Sequence, residues 1–309
     1  MRILFLSTTA QPETWLGPLG AALPDDEIMV YPELGDPATI ECAIVAVPPP
    51  GVLTGLPKLR LIQSLWVGVE SLLRDPTLPK DVPLARLVDP GMTGTMTETV
   101  LQHVLNAHRE YEGYRAQQRE GIWRHLPQVR AQDRRVGFLG LGELGTAAAR
   151  TLVGLNFAVA GWSRRPQELA GIATFAGPDG LRPFLARTDI LVCLLPLTAE
   201  TRGIINADTL AALPRGATLI NLARGGHVVD DDLLAAFDSG QLGRAVLDVF
   251  NTEPLPPDHP YWTHPGIVIT PHVAAETDPA TAVSQVVENL RRLRAGEPLR
   301  NVVDRAAGY

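Results

Sequence analysis

Between residues 2 and 90 the apolar positions gather in short unbroken runs, RILFLS, EIMVY, CAIVAV, LRLIQSL and PLARLVD, separated by turn-forming stretches. A strand with one face in water alternates apolar and polar residues. Runs without alternation suit strands covered on both faces, as in a parallel sheet with helices between the strands. PPPG at 48–51 and DPG at 89–91 predict breaks. After the second break, Thr95 and Glu98 stand at capping-box spacing, predicting the start of a long helix through TGTMTETVLQHVLNAHREYEGYRAQQREG that leads into a second domain.

From Arg135 the rhythm changes to strands, RRVGFLGLG, FAVAGW, DILVCLLP, ATLINLA, RAVLDVF and IVITPH, alternating with helical stretches such as ELGTAAARTLVGL, GLRPFLART, NADTLAAL and DDDLLAAFDSG. Strand and helix alternating in this way specify a doubly wound α/β sheet. The amphipathic DPATAVSQVVENLRRLRAG is expected to return to the first domain and make it discontinuous. The expected fold class is therefore α/β, with two doubly wound parallel-sheet domains and the active cleft between them. A flavodoxin-like substrate domain takes 1–95 and 276–309, and a Rossmann dinucleotide-binding domain takes 96–275.

Composition narrows the classes. With 45% hydrophobic and 20% charged residues, 309 residues suffice for two packed cores. Lys and Arg total 27 against 34 Asp and Glu, a formal charge of -7, so no broad cationic face is expected and nucleic acid is not an expected partner. Cys42 and Cys193 lie inside apolar runs without metal-ligand or CxxC spacing, which predicts inert core thiols, no metal site and a reducing, cytoplasmic setting. The opening MRILFLSTTA is too short in its apolar run for a signal or membrane segment and reads as a first strand.

The candidate chemistry begins at Gly140, Gly142 and Gly145, a GxGxxG between a strand and an Ala-rich helix. These glycines permit the tight turn, the approach of a pyrophosphate and close helix packing, while free N–H groups at the helix start face the anion. The acid usually found at the end of the next strand, which binds the ribose of NAD, is replaced by Ser163, Arg164 and Arg165. A guanidinium on a phosphate contributes roughly 1.5–3 kcal/mol, about tenfold or more in affinity. NADP(H) is therefore the expected cofactor, with NAD(H) still possible; two solvated surface arginines is the competing reading.

Three later stretches, INLARGGHVVDDDLL, AVLDVFNTEPLP and VITPHVAA, follow strands on the side of the sheet that carries the glycine turn. Groups just beyond strand carboxyl ends gather at the ligand crevice of an open α/β sheet, so Arg224, Glu253 and His272 are expected to converge. A carbonyl that accepts hydride develops a negative oxygen, which a fixed cation stabilises and a nearby acid protonates. Singly, Arg224 also reads as a loop ion-pair partner, Glu253 as a turn acid before Pro254, and His272 as a satisfied buried imidazole.

These stretches, with WVGVESLL, GFLGLGELG, WSRRP, LLPLTAETRGIIN and the terminal VDRAAGY in order around them, resemble the D-isomer-specific 2-hydroxyacid dehydrogenase family, and within it the glyoxylate/hydroxypyruvate reductase A type. The resemblance implies an NADPH-preferring reductase that converts a small 2-oxoacid, glyoxylate or hydroxypyruvate, to the 2-hydroxyacid. It implies that Arg224 holds the substrate carboxylate and carbonyl oxygen, that His272 protonates that oxygen, and that Glu253 keeps His272 charged and oriented. An adjoining carboxylate raises an imidazole pKa from about 6.5, so reduction is expected to weaken as pH climbs past the raised value. The cofactor set extends by the same resemblance to Glu143, Leu144, Leu195, Pro196 and Ala223, with Asp248 beside the nicotinamide carboxamide.

In the first domain the resemblance assigns the backbone N–H groups of Val67 and Gly68 to the substrate carboxylate. Many relatives carry a second glycine and an aspartate where this chain has Trp66 and Glu70; Trp66 either narrows the pocket or packs beneath the loop. His103, His108, His125, His227, His259 and His264 lack comparable context and read as surface or packing residues. The segment REYEGYRAQQREGIWRH corresponds to one that embraces a second subunit in relatives, which implies a homodimer. A non-enzymatic, dinucleotide-dependent sensor or corepressor is the alternative from another class, and the Arg, Glu and His together argue against it. A phosphoglycerate dehydrogenase is a further alternative, disfavoured because no added regulatory domain follows before Tyr309.

Overall fold

The apolar runs of the first ninety residues form β1 (Arg2–Ser7), β2 (Glu27–Val30), β3 (Ile40–Ala46), β4 (Leu61–Ser64) and β5 (Leu84–Ala85), in a computed structural model that describes residues 1–308. They belong to a unit made of Met1–Met92 and the chain from Glu276 onward. All pair in parallel, in the order β2-β1-β3-β4-β5, which is the flavodoxin-like order. Both faces are covered, which is why the runs do not alternate. On one face, Trp15 and Leu19 of α1 (Pro12–Ala22) and Val283, Val286 and Leu290 of the C-terminal helix (Pro279–Ala295) share a core with Ile3, Phe5, Cys42 and Ile44. On the other, Leu4, Leu6, Ala43 and Val45 pack with Leu53, Leu56 and, from the short α2 (Glu70–Leu73), Leu72.

The C-terminal helix is bound to this unit by polar contacts as well. Asp26 accepts from the amino terminus at 2.9 Å and from Arg294. Burial alone would raise the Asp26 carboxyl, but Arg294 and the amino terminus outweigh it and hold it below the ordinary carboxylate range.

The expected break at Asp89-Pro90-Gly91 is instead the beginning of α3 (Pro90–His108). Pro90 takes the first helical position, where a missing N–H is harmless, and Asp89 Oδ2 accepts from Met92 N at 3.2 Å. Thr95 therefore lies inside the helix, five residues past its start, and its carbonyl accepts from Thr99 Oγ1 at 3.1 Å. The single long helix of the sequence reading is also divided: Glu110, at φ 58, turns the chain into α4 (Tyr111–Arg119).

The second unit, Thr93–Ala275, contains β6 (Arg135–Leu139), α5 (Glu143–Gly154), β7 (Ala158–Ser163), β8 (Ala173–Ala176), α6 (Gly177–Leu185), β9 (Ile190–Cys193), α7 (Ala207–Ala211), β10 (Ala217–Asn221), α8 (Asp230–Asp238), β11 (Leu242–Leu247) and β12 (Ile267–Ile269). Its sheet is wholly parallel in the order β12-β11-β10-β9-β6-β7-β8. The order reverses between β6 and β9, the switch point at which such sheets bind dinucleotides. Register keeps the carboxyl ends level, because Leu139 lies opposite both Trp162 and Cys193, Cys193 opposite Asn221, and Asn221 opposite Leu247. The loops that follow these strands therefore issue from one edge. Among the described residues no helix is long and apolar enough to cross a membrane.

Candidate active site

The turn after β6 is shaped by its glycines in three different ways. Gly140 has φ +102, and a Cβ there would meet the Leu194 carbonyl oxygen at 2.8 Å. At Gly145 a Cβ would run into the Gly140 carbonyl, so the first turn of α5 can close only over glycine. Gly142, the N-cap of α5, has nothing within 4 Å of a Cβ position. Tight packing behind and open space in front is the form of a backbone cradle at a helix N-terminus, and it fits the diphosphate of a dinucleotide. Glu143 and Leu144 follow in the first turn, and Leu144 packs against the core beneath.

At the end of β7, Ser163 is buried and its Oγ donates to the Arg165 carbonyl at 2.7 Å. The Ser163 hydroxyl proton is thus spent on the turn, and Arg164 and Arg165 beside it are exposed. Arg164 lies near Glu200 of the loop after β9: a hydrogen bond from Thr198, with a smaller contribution from Arg164, holds the Glu200 carboxyl below its ordinary range. In that same loop Leu195 is buried, and the Pro196 carbonyl accepts from Thr201 Oγ1 at 2.7 Å.

The loop after β10 is built around the fully buried Asn221, whose Oδ1 accepts from Ala223 N at 3.2 Å and whose Nδ2 donates to the Arg224 carbonyl at 3.0 Å. Arg224 is half-buried, and its Nη1 donates to the Ala223 carbonyl at 2.6 Å. Gly225 is obligatory here, since a Cβ would occupy the place of the Phe250 carbonyl. The loops after β10 and β11 consequently touch through main chain. His227, two residues on, is fully buried with its ring nitrogens near the Arg224 and Pro196 carbonyls.

After β11, Glu253 Oε1 accepts from Phe250 N at 2.8 Å, and Oε2 is 2.8 Å from His272 Nδ1. The carboxylate thus bridges the loops after β11 and β12. His272 sits at φ 57, a conformation that costs a non-glycine residue free energy and is held by its N–H donating to the Asp248 carbonyl oxygen at 2.8 Å. The Asp248 side chain, expected beside a nicotinamide carboxamide, is buried and occupied. Oδ1 accepts from Thr270 Oγ1 at 2.6 Å and Val273 N at 2.9 Å, and Oδ2 accepts from Ala274 N at 3.0 Å. Asp248 builds the turn that presents His272.

In the unit of Met1–Met92, Ser64 Oγ donates to the Trp66 carbonyl at 3.1 Å and accepts from Trp66 N at 3.0 Å, which folds the loop back at the end of β4. Trp66 is half-buried and packs on that unit's core, in keeping with packing beneath the loop. Val67 and Gly68 follow, half-buried, before α2. The residues missed by sequence reasoning, Asn221, Gly225 and His227, all lie within INLARGGH; the adjacent glycines and the histidine inside an apolar context were the available signal.

The model of the D-isomer specific 2-hydroxyacid dehydrogenase NAD binding domain matches residues 101–274. Among solved structures, a D-isomer specific 2-hydroxyacid dehydrogenase from Xanthobacter autotrophicus Py2 in complex with NADPH and MES is 43% identical, with TM-score 0.96, covering 100% of this chain and 99% of that one. An NADPH-dependent glyoxylate/hydroxypyruvate reductase from Sinorhizobium meliloti, in complex with NADP and sulfate, is 39% identical with TM-score 0.93 over 100% of this chain and 99% of that one. A probable 2-hydroxyacid dehydrogenase from Rhizobium etli CFN 42, in complex with NADP, HEPES and L(+)-tartaric acid, is 35% identical with TM-score 0.93 over the same 100% and 99%.

Proposed function

The chain belongs to the D-isomer-specific 2-hydroxyacid dehydrogenase family, and from that premise we propose that it is an NADPH-preferring reductase of small 2-oxoacids, glyoxylate or hydroxypyruvate. The observation that carries the reading is the Glu253–His272 pair at 2.8 Å, issuing from the same sheet edge as the glycine cradle and Arg224. When bound, the nicotinamide dinucleotide supplies the hydride. The rest is chemistry of the chain's own side chains. With Nδ1 held by Glu253, His272 keeps Nε2 for proton transfer to the substrate oxygen. Arg224 offers a planar fork to a carboxylate and stabilises the negative charge that develops on the neighbouring oxygen. The Val67 and Gly68 amides take the substrate carboxylate in this reading.

Preference for NADPH rests on the end of β7, which offers Arg164 and Arg165 in place of an acid. The relatives whose structures contain NADPH or NADP support the same choice. A homodimer is proposed from the segment after α3. There Arg124 N donates to Gln117 Oε1 at 3.2 Å and Leu126 N to Tyr114 Oη at 3.1 Å, ordering a stretch on which Trp123 is 96% exposed. An apolar ring so displayed suits a second copy of the chain. Mixing the protein with NADPH and glyoxylate or hydroxypyruvate and following absorbance at about 340 nm, the nicotinamide band of a hydride-transferring cofactor, tests the activity. Consumption is expected with at least one substrate, and none with either would refute it.

A further inference from the structure

Arg224 and Pro196 stand in different loops of the Thr93–Ala275 unit, one after β10 and one after β9, and a single side chain reaches both. His227 Nδ1 is 3.0 Å from the Arg224 carbonyl oxygen, and Nε2 is 3.3 Å from that of Pro196. We propose that His227 is a positioning residue whose imidazole, with a proton on each nitrogen, ties the Arg224 loop to the Leu195–Pro196 loop and so holds the substrate-facing and cofactor-facing segments in one register. This rests on the roles of Arg224 and Pro196 in the proposed function.

Carbonyl oxygens only accept, so a neutral ring with one N–H would leave a lone pair facing a lone pair on its other side. Burial opposes the charged ring, but the Cys193 sulfur and the Pro196 and Arg224 carbonyls outweigh it, and the pKa lies above the ordinary imidazole value. The titratable and charged neighbours include Cys193 at the end of β9, Arg224 in the same turn and, from the loop after β9, Arg202, whose guanidinium lies against Gly226. Neither carbonyl depends on the ring for a partner. Arg224 O already accepts from Asn221 Nδ2 at 3.0 Å, and Pro196 O from Thr201 Oγ1 at 2.7 Å. What His227 adds is the link between loops, and a residue that merely filled space would need no polar atoms.

The two halves of the link are separable, because an asparagine amide reaches the place of Nδ1 and a glutamine amide the place of Nε2. In His227→Asn the tie to Pro196 is lost, and the Kd for NADPH is expected to rise about tenfold, as for one buried hydrogen bond, while the KM for glyoxylate stays within about twofold. In His227→Gln the tie to Arg224 is lost, and kcat/KM for glyoxylate is expected to fall about tenfold with the NADPH Kd held within about twofold. Any other pattern, including parallel shifts in both constants, overturns the proposal. Imidazole 15N spectra of the wild-type protein decide the matter if the variants do not fold: both His227 nitrogens are expected as N–H at about pH 7, and a bare nitrogen overturns the link. Should the wild type reduce no 2-oxoacid, the functional reading falls by itself. The NADPH Kd of His227→Asn and the ring spectrum then still judge the tether.

Discussion

His272 shows how much main-chain geometry a single proton donor requires. Its positive φ is retained because Asp248 grips the residues on either side of the turn, through Thr270, Val273 and Ala274. Asp248→Asn turns an acceptor into a donor facing N–H groups. It is expected to cost about 1–3 kcal/mol of stability and to lower kcat, read by thermal unfolding and steady-state kinetics. Glu253→Gln keeps the volume but releases the ring from an anion; kcat is expected to fall by about 10²–10⁴ with NADPH binding unchanged. Arg164→Ala with Arg165→Ala is expected to bring the KM values for NADPH and NADH together by about tenfold or more, and an unchanged ratio would remove the basis for NADPH preference. The pairing of Glu253 with His272 was legible because each follows a strand in a recognisable motif. Asn221, the internal role of Asp248 and the burial of His227 were not, because their partners are main-chain atoms from other strands, which residue order does not reveal.

At the level of elements, unbroken apolar runs disclosed nearly every strand, since burial on both faces leaves its mark directly in composition. β8 was overlooked because ATFA is four residues long and half-exposed at the sheet edge, so no full apolar run marks it. The start of α3 was misplaced because Asp-Pro-Gly serves equally as a turn and as an N-cap with proline following; the contacts of Asp89 with Met92 N and Thr281 Oγ1 decide for the helix. Asp89→Ala is expected to cost about 0.5–2 kcal/mol, measurable by denaturant unfolding. Gly225 governs how the loops after β10 and β11 meet. Gly225→Ala forces the Phe250 carbonyl away, with an expected loss of about 1–3 kcal/mol and a fall in kcat, because Phe250 N is also the donor that holds Glu253.

Across the molecule, buried histidines contribute to the response to mild acid. Burial lowers the pKa of His103 and, with Arg134 and Arg109 adding to it, of His108, whose Nδ1 has no hydrogen-bond partner and whose ring meets Phe157 edge-on at 4.9 Å. The unfolded chain binds a proton at each near pH 6.5 while the folded chain does not, so their stabilising effect is complete above that value and is lost as pH falls through the depressed pKa. His227, raised, works in the opposite sense: its contribution is full below about 6.5 and fades as pH rises through the higher value. His108→Phe is therefore expected to shrink the fall in Tm between about pH 7 and pH 5. The division of the chain has a consequence for how the protein is made. A ribosome delivers Thr93–Ala275 as one continuous stretch, whereas the sheet begun by Arg2–Ser7 waits for Val283, Val286 and Leu290 before its core can close. The later-encoded unit is thus the first to mature, and nascent chains arrested shortly after Ala275 has emerged should resist protease across it while their amino-terminal ninety residues are still cut.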